Sequence, residues 1–194
     1  MNFLVFYLLI LLALRGDASA EDAEFLARIK SGDHDAFKKF FEAHHTFLYH
    51  FLLKKGISEQ QAEDLVQQAF ILIWEKRNEI DPHKSLRAYL FRIAYTRMLN
   101  LIRDHSKFDD HTDTSTTHSP HSADSNLENR ELAEAIETAI QSMPDKRQTV
   151  FRLCFIQGFT YNNAAEVLAV STKTVENHMG LAQKDLRNKL TACR

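Results

Sequence analysis

Proline and glycine are rare in this chain, with three and five among 194 residues. A turn-rich β-sandwich or barrel uses both freely, so their scarcity argues for long helices. Cysteine is equally sparse. Cys154 and Cys193 stand alone with no metal-ligand spacing, so neither a disulfide framework nor a zinc site is expected, and Cys154 in its apolar run reads as a small core residue. Also missing are a glycine-rich phosphate loop, a nucleophile with a partnering base, and a cluster of ligands. The chain is therefore expected to have no catalytic residues, no metal and no cofactor, and not to be an enzyme. The isolated histidines His44 and His45 read as surface cover.

No apolar run reaches the roughly 18 residues of a membrane span. The longest, Phe3 to Leu14, has 12 residues and is followed by Ala18-Ser19-Ala20, which resembles a signal-peptide cleavage site. No Lys or Arg precedes it, so the positive leader of such a peptide is missing. Because everything after Glu21 reads as an intracellular protein, residues 1–20 are taken as an upstream start or a short appendage, and the chain as cytoplasmic. The competing reading is an export or membrane signal on a helical interaction protein.

Hydrophobic residues make up 44% of the chain, enough for real cores, and its net charge is only −2. The charge is unevenly spread. Asp81 to Lys107 holds six Lys/Arg against two acids, Ser171 to Arg194 five against two, and Phe108 to Asp145 nine acids against one arginine. Two basic blocks flanking an acidic connector suggest two polyanion-facing modules.

Helical periodicity fills most of the rest. Glu21 to Lys30 forms a short amphipathic helix stopped by Gly32. Asp33 can cap a second, whose Ala36, Phe37, Phe40, Phe41, Phe47, Leu48, Phe51 and Leu52 recur at helical spacing until Gly56. Ser58 with Gln61 makes a capping box for a third helix, to about Arg77. A loop from Asn78 to Ser85 precedes a fourth, Leu86 to about Asp104. Residues 109–126 are almost wholly Asp, His, Ser and Thr and cannot bury enough surface to offset their ordering entropy, so they read as a flexible linker. Its His111, His118 and His121 have nothing to complete a metal site. Helices are expected again at Leu127–Ser142, Asp145–Gln157, Tyr161–Leu168 and Thr172–Leu190. The fold class is all-α, with two small helical domains at 21–107 and 127–194 joined by a linker at 108–126.

The last two helices form a candidate helix-turn-helix. Thr160 can cap the first, where Tyr161, Ala164, Ala165 and Leu168 fall at i, i+3, i+4 and i+7 as a buried face. Ala169-Val170-Ser171 makes the turn, with Val170 available to plug the angle and Ser171 to cap the next helix. There Val175, Met179, Ala182 and Leu186 share one sector, and Lys173, Asn177, Gly180 and Lys184 point the opposite way. Two cations, an amide, a glycine and the hydroxyls of Thr172 and Thr174 suit a helix entering the major groove. The bland alternative is a helical hairpin with a solvated face.

The segment from Thr160 to His178 resembles region 4 of extracytoplasmic-function sigma factors, although luminescence-type response regulators share its Thr-Val-Glu-Asn-His helix. The N-terminal half separates the two. Ala62 to Arg77 resembles sigma region 2, and Leu86 to Tyr95 resembles the promoter-melting helix after it. Within the family the chain is most similar to the iron-citrate-type factors of Bacteroidetes. The position of Ala169 is usually Gly there, and a positive φ would cost Ala about 1 kcal/mol.

This resemblance implies a sigma factor that joins RNA polymerase core, with a dimeric helix-turn-helix regulator as the alternative. Asp64, Gln67, Gln68, Ile71 and Trp74 would contact the β′ clamp helices, Ile71 being an apolar residue inside a polar stripe. Asn78, Ser85, Arg87, Tyr89, Arg92, Arg97 and Asn100 would melt and hold the −10 element, cations on phosphates and aromatics on bases; Phe91 and Tyr95 are the aromatics expected to be core. Ser171, Thr172, Lys173, Thr174, Asn177 and Lys184 would read the −35 element, with region 4 docking near the β flap. Promoter DNA and a membrane-bound anti-sigma factor complete the implied partners.

Overall fold

A computed structural model describes residues 18–106 and 135–192. All regular structure among them is helical. The chain divides into two compact units, at 1–116 and 117–194. The expected linker 108–126 with its three histidines, the run Phe3 to Leu14, and the first part of the helix expected from Leu127 lie outside the described residues.

The first unit contains α1 (Ala18–Lys30), α2 (His34–Leu53), α3 (Glu59–Glu75) and α4 (Leu86–Ser106). Helix α1 begins three residues earlier than expected and takes in Ala18-Ser19-Ala20 as its first turn. A three-residue turn reverses the chain into α2, where Gly32 takes φ +83°. The Asp33 carboxylate accepts from the Ala36 amide at 2.9 Å and from Arg28 Nε at 2.9 Å. These bonds, the amide first, hold the Asp33 carboxyl below its usual pKa. Ser58 caps α3 by accepting from the Gln61 amide, and its hydroxyl donates to Gln61 Oε1 at 3.0 Å.

The core of this unit is aromatic. The Phe40 ring lies 5.9 Å from Phe25 and 5.8 Å from Phe70, so α1 and α3 both pack on the face of α2 that carries it. Phe51, at the far end of α2, meets Phe91 at 5.7 Å and Tyr95 at 6.3 Å. Phe91 is fully buried and Tyr95 half-buried, close to expectation. One position departs from it. Phe47 has the right spacing for the core but is 54% exposed. Spacing shows which way a side chain points, not whether a neighbouring helix extends far enough to cover it.

The second unit contains a helix at 135–141, labelled α5, then α6 (Asp145–Phe151), α7 (Tyr161–Leu168) and α8 (Thr172–Ala192). Helix α6 continues into a wider π-helical stretch, Arg152–Ile156, where a single α-helix was expected. Arg152 is buried there and paired bidentately with Glu137, at 2.5 and 3.2 Å. Arg147 pairs with Asp185 and so ties α6 to α8.

Helices α7 and α8 form the expected helix-turn-helix. Thr160 caps α7 by accepting from the Asn163 amide at 3.1 Å, and Ser171 caps α8 by accepting from the Thr174 amide at 3.1 Å. Ala169 closes α7 at φ 53° and ψ 45°, the left-handed conformation that glycine adopts without cost. Ala164 and Ala165 are buried as read, but the face is rotated. Val167 is buried, Leu168 only in part, and Tyr161 is exposed. Val170 is 41% exposed and does not plug the interhelical angle. Once α8 packs close against the two alanines, burial centres on Ala164, Ala165 and Val167 instead of on the larger side chains flanking them.

Candidate nucleic-acid and polymerase interfaces

Helix α8 fulfils the predicted division of faces. Val175, Met179, Ala182 and Leu186 are buried, whereas Lys173, Asn177, Gly180 and Lys184 are exposed on the other side. The hydroxyls at its start are more committed than the sequence suggested. Thr172 donates to Asn162 Oδ1 at 3.0 Å, fastening α8 to α7, and the Ser171 and Thr174 hydroxyls lie 2.9 Å apart within the cap. Lys173 reaches Glu176 at 3.0 Å, but its side chain is 76% exposed, so this pair is weak and yields readily to a phosphate. The face therefore offers two cations and the Asn177 amide on a rigid helix, with the hydroxyls serving mainly to build its start.

On α4 the predicted residues divide into groups. At about 100° per residue, Tyr89, Arg92 and Asn100 fall in one sector, with Arg92 and Asn100 exposed and Tyr89 half-buried. Arg97 sits at the edge of that sector and donates to Gln68 Oε1 on α3 at 2.7 Å. Arg87 points the other way, close enough to His44 on α2 to disfavour its protonation. Burial first, and Arg87 second, lower the His44 pKa to about 4, and its ring meets Phe40 edge-on at 4.6 Å. His44 is thus packed into the core edge instead of lying on the surface as expected. Asn78 is exposed in the preceding loop, whereas Ser85 caps α4 by accepting from the Ala88 amide at 3.1 Å.

Helix α3 presents the predicted stripe. Asp64, Gln67, Gln68 and Ile71 are all exposed, Ile71 by 56%, above a buried face of Val66, Ala69, Phe70 and Ile73. Trp74 is engaged within the unit. Its ring lies 4.5 Å from His34 and 5.0 Å from Phe37, and the Arg77 guanidinium sits 4.5 Å above it. Arg77 also donates to the Trp74 carbonyl at 2.7 Å, so it caps the end of α3 instead of extending the helix.

An open groove of about 590 Å³ between α3 and α4 is lined by Asp64 and Gln68 from one predicted surface and Arg97 and Asn100 from the other. Gln61 and His105 lie within 3.2 Å across its end. No local pattern signals that the two surfaces meet, because the residues of each bridge are 29 and 44 positions apart. The Glu137–Arg152 pair was missed for the same reason. No group of three or more His, Cys, Asp or Glu among the described residues could hold a metal ion.

Comparison with known proteins places the chain in one family. Residues 40–108 match sigma-70 region 2 and residues 133–186 match sigma-70 region 4, together more than half of the chain. The extracytoplasmic-function (ECF) RNA polymerase sigma factor SigW of Bacillus subtilis is 27% identical over 85% of this chain and 94% of its own. The RNA polymerase sigma factor NccH of Alcaligenes xylosoxydans xylosoxydans is 29% identical over 91% of this chain and 95% of its own. The solved structure of CnrH in complex with the cytosolic domain of CnrY superposes with a TM-score of 0.60 at 27% identity, covering 89% of this chain and 98% of that one.

Proposed function

The chain belongs to the sigma-70 family of RNA polymerase factors, and from that membership we propose how its two units divide the work. It is an ECF-type sigma factor that directs transcription through region 2 and region 4, without catalysis of its own. The observation that carries this reading is the order of the two regions on one chain, each ending in an exposed basic or polar helical face. Region 2, with boundaries placed at 21–107, would grip the β′ clamp helices through Asp64, Gln67, Gln68 and Ile71, with Trp74 bracing α3 from behind. The loop at Asn78 and the sector of Tyr89, Arg92 and Asn100 would hold the melted −10 element. In that scheme Ser85 and Arg87 position the helix that does so, and Arg97 lies where the two surfaces join. Region 4, at 127–194, would read the −35 duplex with Lys173, Asn177 and Lys184, on a helix start built by Ser171, Thr172 and Thr174, and would dock near the β flap.

A membrane-bound anti-sigma factor is the proposed regulator; its support is that CnrH has been solved bound to the cytosolic domain of CnrY. The finer placement beside the iron-citrate-type factors of Bacteroidetes rests on the resemblance of Ala62–Arg77, Leu86–Tyr95 and Thr160–His178, while the relatives matched along the chain bear other names. No described helix is long and apolar enough to cross a membrane. The proposed compartment is the cytoplasm, where polymerase and promoter are.

Co-purification of the full chain with polymerase core, followed by run-off transcription from a cognate promoter, tests the reading. Stable holoenzyme and a promoter-dependent transcript are expected. A chain that binds DNA as a dimer and never joins core would instead be an operator-binding regulator.

A further inference from the structure

Among the described residues Leu181 is the one large apolar side chain exposed on α8, at 44%. The other exposed apolar residues of the second unit, Ile156, Tyr161 and Val170, lie outside this helix. One turn before Leu181 stand Asn177 and His178, and one turn after it Lys184 and Asp185. The helix therefore offers a single apolar point among an amide, an imidazole and charges, where a helix or sheet of a partner protein would need an apolar stripe. At about 100° per residue Leu181 lies about 40° from Asn177 and about 60° from Lys184, on the flank of the face assigned to the −35 duplex.

Gly180, beside it on the same face, gives nothing to the fold. It lies inside the 21-residue α8 and is exposed, its φ is not positive, and nothing lies within 4 Å of where its Cβ would stand. A glycine in the middle of a helix destabilises that helix relative to alanine. What the missing side chain leaves is room on the outer face for another body to approach the helix backbone. On a helix that enters the major groove, that body is the edge of the base pairs. Thymine alone among the four bases presents an apolar group there, its C5 methyl, next to the O4 acceptor. Along the helix axis Leu181 is about 6 Å from Asn177, less than two base-pair steps of about 3.4 Å, so the two side chains meet the same short stretch of duplex.

We propose that Leu181 is a specificity-determining residue of the −35 reader, packing on the C5 methyl group of a thymine close to the base that Asn177 bonds. Gly180 brings the helix backbone near enough for that contact. The proposal rests on the assignment of α8 to the −35 duplex, and adds an apolar base contact to the polar ones of Lys173, Asn177 and Lys184.

The test uses the full-length chain assembled with polymerase core. This holoenzyme selects binding sites from a random duplex library, and each thymine of the selected −35 element is then replaced singly by uracil, which lacks only the methyl group. One replacement should weaken binding about fourfold, the loss that one buried methyl group corresponds to. In Leu181→Ala the same replacement should cost nothing, with helical circular dichroism unchanged, whereas Leu181→Met, which keeps an apolar reach, should retain the penalty. Gly180→Ala should lower affinity for thymine and uracil duplexes alike while raising the urea midpoint of the chain. The proposal is overturned if every replacement is neutral, if the penalty persists undiminished in Leu181→Ala, if Gly180→Ala binds as tightly as the native chain, or if the selected element holds no thymine. A holoenzyme that selects no −35 element at all would overturn the assignment of α8 itself, and the proposal with it.

Discussion

Ala169 shows how a single residue carries both a cost and a clue. Among the described residues it is the one non-glycine with positive φ, at the turn between the two helices of the DNA reader. An L side chain in that region is strained by about 1 kcal/mol. Ala169→Gly should therefore raise the stability of the second unit by up to about 1 kcal/mol, read as a higher urea midpoint with unchanged slope. Glu137 is the opposite case. Removing its carboxylate leaves the buried Arg152 guanidinium without its bidentate partner. Glu137→Ala should cost about 2–3 kcal/mol, somewhat below a fully buried pair because Glu137 retains 30% exposure. His44 predicts a pH dependence. Its folded pKa of about 4 lies below the ordinary 6.5, so the unfolded chain takes up the proton first as pH falls. The contribution is complete above pH 6.5, lost between 6.5 and 4, and amounts to about 3 kcal/mol at most. His44→Leu should flatten the urea midpoint across that window, whereas the loss belonging to Asp33 appears only below its ordinary carboxylate range.

At the scale of elements, α3 and α8 present faces of different chemistry, and substitutions should separate them. Lys173→Ala and Asn177→Ala should weaken −35 duplex binding by about 1–3 kcal/mol for the amide and less for the cation, leaving holoenzyme formation intact. Asp64→Ala and Ile71→Ser should do the reverse in a core-binding titration; four variants with the same phenotype would contradict the division. Lys184→Ala should also reduce the slope of log affinity against log salt by about 1 if its ammonium sits on a phosphate. Most of these elements were readable from the sequence. Caps at Asp33, Ser58, Thr160 and Ser171 and the buried set Val175, Met179, Ala182 and Leu186 follow from local chemistry and period alone. The errors, at Phe47, Tyr161 and Val170, are positions whose burial depends on how far a neighbouring helix reaches.

Across the whole molecule, family membership and function were legible because the two regions are sequence-contiguous patterns in a fixed order. Residue-type spacing specified both the exposed α3 stripe and the outer face of α8, since each lies on one helix whose period the sequence writes directly. What only the tertiary structure decided is how residues far apart in the chain combine. It joined Gln68 to Arg97 and Gln61 to His105, set His44 against Arg87, stacked Trp74 between Phe37, His34 and Arg77, and buried Arg152 on Glu137. Periodicity fixes the direction of a side chain within its own helix. Its partner is fixed by where a second helix begins, ends and crosses, which depends on the packing of the whole unit.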